Sequence, residues 1–232
     1  GVAGGSDTRI RSLGSRTHNG LGGILVANLD GRSQRTNETF VNRSATVAFD
    51  LNDEKKLGPY GDVDNRVQYP APLILAPNAT DVHLLYRMID VAGFPDVFYA
   101  RSIDSGATYL TPVRLSQHVA GSEDPLAIAL AGHPTDANRV YAMYARQNYA
   151  LSRMQLVFRK SLDRGVTWSN EVVIDTLTVI RTLRLVVNQD DDLFAVWSLG
   201  TDVRMVISRD DGATWGASFD FDQQSTGAAV IN

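Results

Sequence analysis

Apolar and polar residues alternate in short runs along most of this chain. From residue 68 onward the runs are "QYPAPLILAP", "DVHLLYRMID" and "DVFYARSI"; then "DPLAIAL", "NRVYAMYAR" and "RMQLVFRKS"; then "LRLVVNQ", "DLFAVWSL" and "DVRMVISR". A period of two puts successive side chains on opposite faces of a strand, and the Asn, Asp, Gly and Pro between the runs are turn formers. No stretch keeps a 3.6-residue apolar period over about ten residues, the least that would argue for a helix. The pattern therefore predicts an all-β chain. A further short run follows each trio, "TPVRLS", "NEVVID" and "ASFDFD", which makes three units of four strands.

A single turn pattern, S-x-D-x-G-x-T-aromatic, stands between the third and fourth run of every unit. Its members are Ser102, Asp104, Gly106, Thr108 and Tyr109; Ser161, Asp163, Gly165, Thr167 and Trp168; and Ser208, Asp210, Gly212, Thr214 and Trp215. The copies start 59 and then 47 residues apart, close to the spacing of roughly 40 to 50 residues expected of four-stranded propeller blades with loop insertions. Glycine supplies a positive φ, the Asp carboxylate accepts backbone N–H groups within the turn, and the Ser and Thr hydroxyls tie the flanking strands. The aromatic ring is expected to pack over the hairpin. A device used three times reads as structural rather than catalytic.

The predicted fold is a β-propeller of four-stranded antiparallel blades, partial or part of a longer ring. Residues 1–20 read as a flexible lead-in and 21–65 as a degenerate blade or cap. Residues 66–232 read as three blades plus the start of a further strand. The opening Gly-Val-Ala-Gly-Gly lacks an initiator Met, and "SFDFDQQSTGAAVIN" reads as a last blade strand running on toward another blade. The expectation is a piece of a longer propeller.

Composition narrows the function. Twenty-two basic and 26 acidic residues are interspersed, for a net charge of -4, so there is no basic stripe for nucleic acid. No cysteine is present, which removes thiolate nucleophiles and Cys-ligated metals. No apolar run approaches the roughly 20 residues of a membrane helix.

The three motifs, and "YARSIDSGATYLTPVRLS" above all, resemble the Asp-box, or bacterial neuraminidase repeat, of secreted sialidase-like β-propellers; the resemblance covers residues 66 to 222. It implies that the boxes lie on the rim away from the substrate face and that Asp104, Asp163 and Asp210 are structural. For a working sialidase it further implies six blades, an arginine triad on the sialic acid carboxylate, a loop Asp as acid/base and a Tyr/Glu nucleophile pair. Guanidinium forks suit a carboxylate because they bind it bidentately. The matching positions are Arg66 in "NRVQYPAPLIL", Arg87 in "LLYRMID", and Asp96, with Asp90 as the alternative. The Pro after Arg66 comes four residues on rather than the family's two. Arg87 also reads as a plain strand residue and Asp96 as a hairpin cap. The nucleophile pair and the other triad arginines belong to later blades.

Other candidates are weaker. His18, His83, His118 and His133 lack metal-ligand spacing, and no metal or other cofactor is expected. "NQDDDLF" offers Ca²⁺ three carboxylates but not the alternating ligands of a calcium loop, and it falls where a hairpin turn is needed. "SDTRIRSLGSRTHNGLGG" is not a phosphate loop, since no strand precedes its glycines and no helix follows. Asn37, Asn42 and Asn78 stand in N-x-S/T sequons, compatible with a secreted, periplasmic or cell-surface protein. The leading expectation is a module binding a glycan or a protein ligand without a complete catalytic site in this chain. The alternatives are the N-terminal part of a sialidase-like exo-glycoside hydrolase, and a structural subunit whose propeller is completed by homo- or hetero-oligomeric partners.

Overall fold

A computed structural model describes residues 10–18, 24–30, 38–44, 54–57, 73–75, 77–78, 80–89, 95–116, 123–180, 182–199 and 202–220. Every regular element among them is a β-strand, and no helix in the described residues is long and apolar enough to cross a membrane. The chain divides into two compact units, residues 1–117 and 118–232.

The first unit holds two four-stranded antiparallel meanders. One runs β1 (Ile10–His18), β2 (Ile24–Asp30), β3 (Glu38–Ser44) and β4 (Glu54–Leu57). The other runs β5 (Leu73–Leu75), β6 (Val82–Ile89), β7 (Pro95–Ser102) and β8 (Val113–Arg114). Their first strands, β1 and β5, pack side by side. Strand β1 lies where the sequence reads as lead-in, and β2, β3 and β4 lie where it reads as a degenerate blade or cap. Strands β1 and β4 are the outer strands of their sheet, with polar sequences, "IRSLGSRTH" and "EKKL".

The second unit repeats the plan with β9 (Glu123–Gly132), β10 (Val140–Asn148), β11 (Arg153–Ser161) and β12 (Val172–Leu177), then β13 (Leu183–Val187), β14 (Leu193–Leu199), β15 (Asp202–Ser208) and β16 (Phe219–Asp220). Again the first strands, β9 and β13, are neighbours. Four-stranded meanders with adjacent first strands are β-propeller blades. All three repeat turns join a third strand to a fourth, as the sequence pattern predicts. Two of the fourth strands, β8 and β16, have shrunk to two residues each, which leaves little edge for unwanted pairing.

Register is conserved from blade to blade. The last residue of each third strand, the serine that opens the turn, pairs with the first residue of the second strand: Val82 with Ser102, Val140 with Ser161, Leu193 with Ser208. In the second unit one apolar core fills the space between the two blades. Tyr141, Met143, Leu156 and Phe158 of the first blade meet Leu185, Leu193, Ala195 and Trp197 of the second. These side chains alternate along their strands, so the period-two reading of "NRVYAMYAR" and "DLFAVWSL" translates directly into a shared core. Strand β10 is buried on both faces from Val140 to Arg146, and a fully buried aliphatic or aromatic side chain there contributes about 1.5–3 kcal/mol.

Candidate functional site

The repeat turns are nearly superimposable in their bonding. Ser102 Oγ donates to Asp104 Oδ1 at 2.7 Å and accepts the Gly106 N–H at 2.8 Å. Ser161 does the same at 2.7 and 2.7 Å, and Ser208 at 2.8 and 2.9 Å. The Asp then accepts twice from the Thr: the Thr108 N–H at 2.8 Å and its hydroxyl at 2.6 Å, with 2.8 and 2.5 Å for both Thr167 and Thr214. The two residues after each Asp have positive φ: Ser105 61° and Gly106 84°, Arg164 60° and Gly165 81°, Asp211 57° and Gly212 78°. That pair of left-handed residues is the type I′ arrangement, which asks for Gly at the second place. The hydroxyls close the turn upon itself rather than tying the flanking strands.

Each turn is also anchored within its own blade. The N–H groups of Ser105, Arg164 and Asp211 donate to the carbonyls of Thr80, Asn138 and Asp191, at 2.8, 2.8 and 3.1 Å, in the connection between first and second strands. Threonine bonds depress the carboxylates. At Asp210 the Thr214 hydroxyl, Thr214 N–H and Ser208 lower the pKa to about 2. At Asp104 desolvation works upward but is outweighed by Thr108 and Ser102, again giving about 2. Each turn carboxylate accepts three hydrogen bonds within its own turn, which stabilise the ionised form and make it a weak base.

In the second unit the third turn is also the clamp between blades. Asp211 accepts from Tyr141 Oη at 2.6 Å and from Lys160 Nζ at 2.8 Å. Trp215 meets Phe158 edge-on, with ring centroids 5.1 Å apart and planes at 68°. Trp215 thus packs against the core shared by the two blades, with Phe158 of the neighbouring blade among its partners. Asp191, in "NQDDDLF", pairs with Arg139 and with His133 Nε2, the latter at 3.0 Å, and Asp192 pairs with Arg209 at 3.0 Å. Those carboxylates are neutralised by basic side chains in a hairpin turn, and the described residues contain no His/Cys/Asp/Glu group able to hold a metal.

Of the residues carried over from the sialidase pattern, Arg66 lies outside the described residues. Arg87 and Asp96 are both buried, at 5% and 0% exposure. Arg87 is opposite Val97 and Met88 is opposite Asp96, so the two side chains leave the sheet on opposite faces. Asp96 accepts from Ser116 Oγ at 2.7 Å and pairs with Arg114 Nε at 3.0 Å. The structure does not bring Arg87 and Asp96 together. A second polar cluster sits on β10, β11 and the turn before β12: Glu171 accepts from Tyr144 Oη and, at 2.7 Å, from Arg146 Nη1. Burial first, and then the Glu171 charge, push the Tyr144 pKa up. With no exposed surface on Tyr144, this Tyr/Glu pair holds the sheet and offers no nucleophile to solvent.

His83 occupies the place that Tyr141 and Phe194 hold in the next blades. It is fully buried, with Nδ1 2.5 Å from Tyr99 Oη. Burial lowers its pKa from 6.5 to about 4, against the pull of Asp81 and with help from Arg101. Between those values the unfolded chain takes up a proton that the folded chain refuses, so stability falls as pH drops from about 6.5 toward 4. Urea midpoints at pH 7 and pH 5 should separate for the unaltered protein and draw together in His83→Gln. An equal separation in both proteins would show that His83 is not the titrating group.

The end of the sheets away from the repeat turns carries residues that no sequence motif marks. The β10–β11 hairpin ends in Tyr149, Ala150, Leu151 and Ser152, with Tyr149 57% and Leu151 55% exposed. The signal in the sequence is a lone aromatic in a polar hairpin, "RQNYALSR", which resembles ordinary turn composition.

Neither the known protein-family models nor the curated proteins contain a match to this chain. Solved structures do. The chain is similar to a Hadza microbial sialidase at a TM-score of 0.63 and 13% identity, over 88% of this chain and 45% of that one. It is similar to the GH93 α-L-arabinofuranosidase of Fusarium graminearum in complex with arabinobiose at 0.61 and 13%, over 93% and 68%. It is also similar to a PL25 ulvan lyase at 0.55 and 11%, over 87% and 56%. The chain thus spans less than half the length of that sialidase. At such identities the likeness establishes the fold: this is an all-β chain built of β-propeller blades, of the architecture used by carbohydrate-active propeller enzymes.

Proposed function

We propose that this chain is an Asp-box β-propeller module of the sialidase-like kind, exported to the periplasm, cell surface or medium, which binds a glycan without a complete catalytic set of its own. The observation that carries the reading is the threefold turn, bonded identically in each copy, on a fold whose structural neighbours act on sialosides, arabinans and ulvan. The polar groups of each turn bond within that turn, which supports placing the binding surface at the opposite ends of the blades, where propeller loops vary.

Native electrophoresis through gels containing linear arabinan, ulvan or sialylated mucin tests it. The protein should be retarded in at least one of the three relative to a gel without polysaccharide. Unchanged mobility in all of them would overturn the glycan-binding reading.

The likeness to a sialidase supports a second reading, in which the chain is the first part of a sialidase-like hydrolase and Arg66, Arg87 and Asp96 serve its site. It requires that substrate reach Asp96. Hydrolysis of a fluorogenic sialoside by the protein carrying its downstream blades, abolished by Asp96→Asn with the melting temperature unchanged, would establish it over the binding reading.

A further inference from the structure

Blades in the second unit differ in one respect that their shared register makes plain. From the pair Val140/Ser161, β10 and β11 run without a break to Asn148/Arg153, nine residues each. From the equivalent pair Leu193/Ser208, β14 and β15 run only to Leu199/Asp202, seven residues each. At about 3.4 Å per residue, the β10–β11 hairpin extends roughly 7 Å farther from the turn end of its blade.

Its tip is held in one shape. Asn148 Oδ1 accepts the Leu151 N–H at 3.1 Å, and the Tyr149 carbonyl accepts the Ser152 N–H at 3.2 Å. Ser152 has φ 50°. Beneath the tip Gln147 donates to the Arg153 carbonyl, and Asn148 and Arg146 both donate to Gln155 Oε1, each at 3.3 Å. A hairpin braced in this way presents Tyr149 and Leu151 outward without the ordering cost that a loose loop would pay on binding.

We infer that Tyr149 is the stacking platform for one sugar ring of a polysaccharide, with Leu151 extending the apolar face and Arg153 donating to the hydroxyl or carboxylate groups at its edge. The inference rests on the glycan-binding reading above. A phenol face and the C–H face of a sugar ring are both apolar, while sugar hydroxyls need polar partners at the rim. The tip offers that combination: one exposed aromatic ring, an exposed guanidinium, and amides already fixed in place. A protein-docking hot spot would call for a larger apolar surround that excludes water, and the neighbours of this tip are Gln147, Asn148 and Arg153.

The test uses the gel among arabinan, ulvan and sialylated mucin that retards the unaltered protein. Tyr149→Ala should weaken apparent affinity for that polysaccharide about tenfold, in keeping with the strength of an aromatic contact. Its melting temperature should not move, because the ring packs on nothing in the core, and Tyr149→Trp should restore retardation. If Tyr149→Ala is retarded as strongly as the unaltered protein, the hairpin assignment is overturned while the glycan reading stands. If the unaltered protein is retarded by none of the three, both fall together.

Discussion

Gly212→Ala should cost this protein about 2–5 kcal/mol, the largest loss expected from adding a single methyl group. Two effects add. Gly212 has a φ of +78°, and an L-residue held in that region costs about 1–2 kcal/mol. An added Cβ would also lie 2.4 Å from Phe158 Cε1, 2.6 Å from Phe158 Cζ and 3.1 Å from Leu193 Cδ1. Phe158 cannot yield, because it is 1% exposed and wedged between Tyr141 and Trp215. Overpacking of this kind costs roughly 1–3 kcal/mol. Gly216→Ala, whose Cβ would meet nothing closer than the Ile207 carbonyl at 3.5 Å, is the control and should change stability little. Chemical denaturation of both variants checks the account; equal effects would mean that the turn does not press against the neighbouring blade.

Asp163→Ala should lower stability by roughly 1–3 kcal/mol, the cost of orphaning hydrogen-bonded groups. It strips the acceptor from Ser161 Oγ, from the Thr167 N–H and from the Thr167 hydroxyl in one step. The turn is partly exposed, so water takes over some of those bonds and holds the loss below that of a core deletion. The direction of the carboxylate shift gives a second reading of the same bonds. The turn hydrogen bonds, opposed by desolvation, lower the Asp163 pKa below 3.8, so its contribution is present above that pH and fades as acid protonates the folded turn. Acid unfolding of Asp163→Ala should accordingly lack part of the loss seen below pH 4.

What the sequence disclosed and what it hid divide along a physical line. Strands β6, β7, β10, β11, β14 and β15 announce themselves because both of their faces meet apolar neighbours or alternate cleanly, and the turns announce themselves because their side chains bond within eight residues of one another. Contacts of long sequence separation left no such trace. Nothing in "RDDGATW" says that Asp211 reaches Tyr141, 70 residues away, or that Gly212 is needed against Phe158 as well as for its own φ. Strands β1 and β4 were hidden for the reverse reason, since "IRSLGSRTH" and "EKKL" carry no sustained apolar alternation. The parity that sends Arg87 and Asp96 to opposite faces depends on which residues of β6 and β7 pair, and a one-residue slip would reverse it.

On the proposed reading, the three repeated turns build the blades and take no part in binding. Asp163→Ala, measured for melting temperature and for mobility in a polysaccharide gel that retards the unaltered protein, tests it directly. The account predicts a lower melting temperature and, at a temperature where the variant is still folded, unchanged retardation. An unchanged melting temperature with retardation lost would place the turn in the binding site and contradict it.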